Sequence, residues 1–274
     1  MIVIKTKEQI EIIKQGGRIL AVVMEKIAAE VKPGATTGRL EEVACSLIKA
    51  AGGRPSFKGY ESGQDGESFP TALCVSINNE VVHVPSLPSR MLKEGDIIGV
   101  DLGMEYPVFV PQRGSSAGKP AKQGYYTDMA MTVPVGKISR EARRLIDVTR
   151  KSLELAIKEI KPGNTLNDIG RAVQTYVEAN GFSVVRGLVG HGVGLAVHEE
   201  PQVPNFVIEK EGCNNMVFKP GMVLAVEPMV NAGDYEIKYG DDHFSVLTAD
   251  GSLSAHFEHT VAVTEGGHIV LTEL

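Results

Sequence analysis

The sequence predicts an α+β fold in which a unit of two helices and several strands occurs twice around a central antiparallel sheet. A pattern of helix, Lys-Pro-Gly, threonine cap and second helix recurs after 129 residues, with Lys-Pro-Gly at 32–34 and 161–163. Apolar strand patterns that each carry one carboxylate recur at offsets of 126 and 130 residues. We therefore expect a single domain over residues 1–274, with pseudo-repeats at about 6–135 and 139–270.

The first repeat begins with two predicted helices. A capping-box pattern at Thr6 and apolar residues at helical spacing predict a helix that continues to about Glu30. Thr36 or Thr37 caps a second helix that continues to about Ala51, where two glycines end it.

Strands follow these helices. Residues 73–84 read as strand material with a central turn at Asn78-Asn79, and residues 96–102 read as another strand. Residues 112–124 are polar and rich in glycine, which predicts a loop between two strands.

The second repeat has the same order. Residues 139–160 form an amphipathic helical pattern, and Thr165 with Asp168 caps the next helix, which continues to Asn180. Strands and turns are predicted from there to the C-terminus.

Composition excludes several classes of protein. Hydrophobic residues make up 43% and charged residues 23%, with no apolar run long enough to span a bilayer, so a membrane protein or a disordered chain is not expected. A net charge of −6 gives no basic field for nucleic acid. Cys45, Cys74 and Cys213 contain no CxxC pair, which fits a reducing cytoplasm and argues against a disulfide framework or a thiolate zinc site.

Four carboxylates occupy matched positions in the two repeats. Asp101 corresponds to Glu227 at the end of one apolar strand, and Asp128 corresponds to Glu258 at the start of another. Pseudo-two-fold packing would bring these four side chains together. Four buried negative charges are unfavourable unless cations compensate them, and two divalent ions balance them in formal charge. The pattern predicts a carboxylate-rich site for Mn, Fe, Co or Zn.

A glycine-rich segment supplies candidate imidazole ligands. His191 lies between Gly190 and Gly192, and His198 follows six residues after Gly192. We expect the glycines to let the backbone approach a ligand closely. Two unrelated histidines are the alternative interpretation, which the four symmetric carboxylates make less attractive.

These residues belong to an ordered set of motifs that extends from about Ile4 to Leu274. The set comprises Asn78…His83, Val100-Asp101, Thr127-Asp128, Gly190-His191-Gly192-Val193-Gly194, His198-Glu199-Glu200-Pro201, Val226-Glu227-Pro228-Met229 and Phe257-Glu258-His259-Thr260. It resembles the type I methionine aminopeptidases, metalloproteases with the pita-bread fold. The resemblance implies removal of the initiator methionine from nascent proteins.

The resemblance also implies a role for each residue. The ligands of two divalent ions (Co, Mn, Fe or Zn) would be Asp101, Asp128, His191, Glu227 and Glu258, with Asp128 and Glu258 bridging both ions. A hydroxide on the two metals would attack the first peptide carbonyl, while Glu227 moves the proton and His198 stabilises the oxyanion. His83 and His198 would face the substrate.

Further positions match the substrate pocket of the family. The methionine side chain would contact Phe57, Tyr60, Phe69, Cys74 and Phe244, where Phe244 stands in place of the usual tryptophan. Asn78 and Ser254 match a monovalent-cation site. The segments 61–68 and 104–126 are longer than is usual in the family, and 61–68 is expected beside the pocket. Both segments are expected either to reshape substrate access or to be neutral surface insertions.

Two other functions share this metal site. An Xaa-Pro-directed exopeptidase would use the same five ligands on proline-containing substrates. A non-catalytic relative would bind partner proteins through what is the substrate cleft in the enzymes. The complete ligand set and the segment from Asn78 to His83 favour the methionine-specific activity. We expect a cytoplasmic monomer that acts on nascent N-termini and contacts the ribosome, if at all, through its catalytic domain.

Overall fold

The computed structural model describes residues 2–61, 67–108, 124–209 and 216–274. The loop predicted at 112–124 therefore lies almost wholly outside the described residues, as do parts of the longer segments 61–68 and 104–126. Cys213 also lies outside them. None of the helices in the described ranges is both long and apolar enough to cross a membrane.

Four helices occur in the described part of the chain, and their bounds follow the predicted caps and stops. They are α1 (Lys7–Glu30), α2 (Thr37–Ala50), α3 (Arg140–Lys158) and α4 (Leu166–Ala179). Thr6 forms the predicted capping box: its hydroxyl accepts the Gln9 N–H at 3.3 Å, and the Gln9 side chain accepts the Thr6 N–H at 2.8 Å. Thr36, rather than Thr37, caps α2 by accepting the Arg39 N–H.

Fifteen strands are found in the same residues. They are β1 (Arg54–Pro55), β2 (Cys74–Ile77), β3 (Glu80–Val82), β4 (Ile97–Tyr106), β5 (Tyr125–Pro134), β6 (Ser183–Val184), β7 (Gly190–Gly192), β8 (Glu199–Val203), β9 (Val223–Val226), β10 (Met229–Asn231), β11 (Ile237–Tyr239), β12 (Val246–Thr248), β13 (Ser254–His256), β14 (Glu258–Thr264) and β15 (Gly267–Val270). The strand material predicted at 73–84 is present as β2 and β3 on either side of the turn at Asn78-Asn79, but the two strands join different sheets, since β2 pairs with β4 and β3 with β12. The strand predicted to end at Leu102 continues to Tyr106 because it pairs along its whole length with β5.

A large antiparallel sheet forms the centre of the molecule. Its strand order is β1-β4-β5-β14-β9-β7-β8, with β2 added on β4 and β15 on β14. β5 and β14 meet in the middle, where Ala130 is opposite Glu258. Two three-stranded sheets, β13-β10-β6 and β11-β12-β3, accompany it.

The helices bury their apolar faces in two clusters. Leu20 and Met24 of α1 share one cluster with Leu102 of β4. Leu153 of α3 and Val173 of α4 share the other with strands β9 and β14. The helices of each half thus pack on the strands of that half, and the acidic residues of these strands line one cavity.

Candidate metal centre

Five neighbouring strands supply the five predicted ligands. Asp101 lies in β4, Asp128 in β5 and His191 in β7, while Glu258 is the first residue of β14 and Glu227 directly follows β9. These strands are adjacent in the order β4-β5-β14-β9-β7. All five side chains line one cavity of about 690 Å³. Residues far apart in sequence therefore converge because the sheet places their strands side by side.

The ligand atoms lie close enough to share a cation. One side-chain donor atom from each of Asp128, His191 and Glu258 lies within 4.8 Å of the other two. Glu227 Oε1 is 3.5 Å from His191 Nε2. Asp101 Oδ1 and Glu258 Oε1 are buried and have no hydrogen-bond partner among the described residues. Buried acceptor oxygens without donors are unfavourable, and a divalent ion bound by carboxylates and an imidazole would satisfy them. The residues fit a metal.

Burial raises the pKa of all four carboxyl groups. The pKa of Glu227 rises to about 8, and that of Asp101 rises to about 7 because burial outweighs the attraction of nearby His256. Burial and the neighbouring carboxylates hold the pKa values of Asp128 and Glu258 well above the usual range. These shifts measure how strongly the cluster needs a compensating positive charge, from protons or from metal ions.

Burial has the opposite effect on the candidate imidazole ligand. It lowers the pKa of His191 to about 3, with His198 contributing repulsion. The ring is consequently neutral at physiological pH, the protonation state that metal ligation requires. Its Nδ1 lies 2.9 Å from the Gly192 carbonyl oxygen, which leaves Nε2 to face the cluster.

The raised carboxyl pKa values predict how the stability of the metal-free protein depends on pH. Between a pKa of about 4 in the unfolded chain and the raised values near 7 and 8 in the folded state, the folded protein holds protons that the unfolded chain has lost. The free energy of unfolding therefore decreases as the pH rises. We expect the melting temperature of the metal-free protein to fall by about 5 to 10 °C between about pH 5.5 and pH 8.5.

Calorimetry of the metal-free and Mn-loaded proteins checks this expectation. Because metal binding replaces the protons, the loaded protein should lose much less stability over the same range. The metal-free Asp128→Asn variant, which removes one titrating group, should show a smaller decline. A metal-free protein that becomes more stable towards pH 8.5 would contradict the burial of ionisable carboxyl groups.

Two further predicted histidines stand at the cavity wall. His83 lines the cavity, and loss of hydration there, with repulsion from His198 and His256, lowers its pKa to about 4. Partial burial also lowers the pKa of His198. The His198 ring lies edge-on to His191, with 4.4 Å between ring centroids. Its Nδ1 is 2.8 Å from the Tyr60 hydroxyl. Both rings are thus held neutral beside the ligand cluster.

The same cavity brings together all of the predicted pocket residues. Its wall includes Phe57, Tyr60, Phe69, Cys74 and Phe244. The Phe69 and Phe244 rings meet edge to face, with 5.4 Å between their centroids. Cys74 lies opposite Asp101 in the pairing of β2 with β4, which puts the apolar pocket directly beside the ligand cluster.

The glycines around His191 are required by the packing of the sheet. A Cβ at Gly190 would lie 2.4 Å from the Ala225 carbonyl oxygen, and one at Gly192 would lie 2.4 Å from that of Glu200. Gly190 also lines the cavity, and the expected close approach of the backbone to a ligand stays a prediction. Glycine is needed because the neighbouring strand backbones leave no room for a side chain.

Sequence reasoning missed His256. It is 2% exposed, its Nε2 has no hydrogen-bond partner among the described residues, and that atom is 3.6 Å from Glu227 Oε2. Glu227 thus lies between two imidazoles. The signal that could have found it is the two-residue spacing from Glu258, since alternate strand residues share a face.

The polar groups of Asn78 and Ser254 are paired within the protein. The Asn78 side chain donates to Asp96 Oδ1 at 2.9 Å and accepts the Ile97 N–H at 3.0 Å. The Asn78 carbonyl accepts the Ser254 N–H at 2.8 Å. These bonds hold the turn between β2 and β3 against β13, and the monovalent-cation site stays a prediction.

Comparison with known proteins identifies similar sequences. The sequence profile of metallopeptidase family M24 matches residues 11–111 and 116–265. The chain is 44% identical to methionine aminopeptidase 1 of Bacillus subtilis over the full length of both proteins. It is 42% identical to the methionine aminopeptidase of Clostridium perfringens, covering 99% of each chain.

Solved structures agree with the sequence comparisons. The methionine aminopeptidase of Thermotoga maritima superposes with a TM-score of 0.88 at 40% identity, and the match covers 100% of both chains. The prolidase of Pyrococcus furiosus superposes with a TM-score of 0.69 at 22% identity, covering 99% of this chain and 66% of the prolidase. The second likeness concerns the fold alone.

Proposed function

Since this chain belongs to the methionine aminopeptidases of metallopeptidase family M24, we propose that its five converging ligands hold the catalytic metal. The protein is an enzyme, a metal-dependent aminopeptidase that removes the initiator methionine from nascent proteins. Its architecture is the pita-bread fold. The family, the fold and the activity predicted from the sequence are thus confirmed.

We propose that the centre holds two divalent ions. Asp101, Asp128, His191, Glu227 and Glu258 would hold them. Four buried carboxylates with raised pKa values carry this proposal, because one divalent ion would leave half of their formal charge uncompensated. The donor set of carboxylates and one imidazole suits Co, Mn, Fe or Zn.

The substrate would enter with its first side chain in the apolar pocket. Phe69, Phe244 and Cys74 line the cavity that would take the thioether, and Cys74 lies opposite Asp101, so this apolar wall is directly beside the ligand cluster. A substrate whose first side chain occupies this wall would present its first peptide bond to the cluster. The metal, when bound, supplies Lewis-acid polarisation of the carbonyl and activation of water.

The chain's own residues move the proton and stabilise negative charge. We assign the general base to Glu227, because its carboxylate lies in the ligand cluster, 3.5 Å from His191 Nε2 and 3.6 Å from His256 Nε2, and a carboxylate in this position can accept and return a proton. Burial raises the pKa of Tyr60, so its hydroxyl stays protonated and can donate to His198 Nδ1. His198 then carries its proton on Nε2 and can donate it to the oxyanion. His83, which directly follows β3, lines the same cavity.

A paired peptide assay tests the substrate class. Metal-free protein reconstituted with Mn, Fe or Co should release methionine from Met-Ala-Ser and leave an Ala-Pro peptide intact. Cleavage of the proline peptide alone would show that the protein is an Xaa-Pro-directed exopeptidase instead. Bound metal without turnover of either peptide would favour a binding protein.

The cellular setting is also proposed. Nascent protein N-termini as substrates support a cytoplasmic location and access to the ribosome through the catalytic domain. Two helical layers on one continuous sheet support a single catalytic domain with two pseudo-repeats. We propose a monomer, because all five ligands and the pocket come from one chain.

A further inference from the structure

A buried ion pair links the segment that precedes α1 to residues 195–199, the turn that contains His198. Lys5 precedes α1, and its backbone N–H donates to the Gly221 carbonyl at 2.8 Å. Its side chain is 1% exposed and reaches Glu199, whose side chain is 7% exposed. Lys5 Nζ lies 2.5 Å from Glu199 Oε2. Lysine is almost never buried to this degree without a partner, so the pairing accounts for its position.

The other oxygen of Glu199 closes a turn. Glu199 Oε1 accepts the backbone N–H groups of Leu195 and Ala196, the latter at 3.0 Å. His198 lies inside this turn, directly before Glu199. A carboxylate that accepts two backbone N–H groups and one ammonium has strong, charge-assisted partners on both oxygens. The backbone of residues 195–199 is therefore fixed by a single side chain.

The neighbouring residues leave the ion pair little freedom. A Cβ at Gly194, whose φ is +135°, would lie 2.9 Å from Lys5 Cε. The Gly194 carbonyl accepts the Tyr126 N–H at 2.8 Å from β5. The turn is thus clamped between the N-terminal segment on one side and the central sheet on the other.

From this geometry we propose that Lys5 and Glu199 are positioning residues for His198. The ammonium neutralises the buried carboxylate, the carboxylate holds the turn, and the turn sets where the His198 imidazole stands in the cavity. The N-terminal segment then contributes to the active site through Lys5, although Lys5 does not line the cavity. The inference rests on the proposed role of His198.

Loss of Lys5 has a definite physical consequence. Without the ammonium, the Glu199 carboxylate is buried and unpaired, which is costly, so it will turn towards solvent or admit water. Either change releases the Leu195 and Ala196 amides. A displacement of a catalytic group by about 1 Å can cost about 100-fold in rate.

The test compares Lys5→Met with Lys7→Met, a matched loss of an exposed lysine two residues away. We expect Lys5→Met to lower kcat on Met-Ala-Ser by about 10- to 100-fold, with bound Mn and KM nearly unchanged. Lys7→Met should match the wild type. Adding Glu199→Gln to Lys5→Met should restore most of the rate, because the amide oxygen of glutamine can still accept both N–H groups without an unpaired charge.

A double-mutant cycle separates positioning from general stability. In a His198→Ala background, Lys5→Met should change kcat less than about twofold, since the residue it positions is gone. If both losses multiply, Lys5 acts elsewhere and the positioning proposal is wrong while the role of His198 stands. If His198→Ala itself keeps full kcat, the proposed role of His198 fails and this inference with it. Should Lys5→Met not fold, Glu199→Ala, which removes the acceptor from the turn, takes its place in the same cycle.

Discussion

Replacing Asp128 by asparagine is expected to abolish turnover of Met-Ala-Ser. Asparagine keeps the shape of the side chain but removes the charge that a shared ligand must provide, so the variant should bind less metal. Lewis-acid activation contributes several kcal/mol, which corresponds to a loss of at least about 1000-fold in kcat/KM. Metal content by elemental analysis and initial rates across Mn concentrations provide the measurement.

Two controls make this result specific. Asp147→Asn removes an exposed carboxylate from α3 and should leave metal content and rate unchanged. The metal-free Asp128→Asn protein should be at least as stable as the metal-free wild type, because one buried acid with a raised pKa is gone. Normal metal content with normal turnover in the variant would contradict the assignment of Asp128 as a metal ligand.

The second large effect is expected from Glu227→Gln. Glutamine can still place an oxygen near the metal but cannot accept the proton, and general acid–base catalysis typically contributes about 100- to 10,000-fold. We therefore expect kcat to fall by about 1000-fold, while KM changes little because the apolar pocket is intact. Pre-steady-state and steady-state release of methionine should both report the slow chemical step.

Glu265→Gln serves as the matched control for this variant. Glu265 is an exposed carboxylate in the turn between β14 and β15, away from the cavity, and its loss should not change kcat. A Glu227→Gln protein with full metal content and kcat within about tenfold of the wild type would assign the proton transfer to another group. His256, 3.6 Å from the same carboxylate, would be the next residue to test.

The helices and the strands that carry the candidate metal ligands were predictable because short stretches of sequence contain the patterns that specify them. Thr6, Thr36 and Ser139 each cap a helix by accepting an N–H three residues ahead, which a short sequence window contains. The matched positions of Asp101 and Glu227 were visible because the repeat preserves their distance from the strand. The pairing of β5 with β14 was not visible, since strand register depends on residues 130 positions apart.

The reasons behind some residues could not be read from the sequence. The glycines beside His191 predicted close approach to a ligand, and only the structure shows that they also accommodate the backbones of Ala225 and Glu200. His256 carried no motif of its own and gained significance only from its distance to Glu227. Lys5 and Glu199 are 194 residues apart, so no spacing rule connects them.

The sequence by itself determined the α+β class and the positions of the four helices, which follow from side-chain types and from periodicities of two and 3.6 residues, properties of the local chain. The five metal ligands are predicted from the ordered motifs and the family that they resemble. Only the tertiary structure decided which strands are neighbours, how deeply Asp128 and Glu258 are buried, and which charge compensates Glu199. Burial, pKa and ion pairing depend on the atoms that surround a group in space, and the folded sheet brings those atoms from distant parts of the chain.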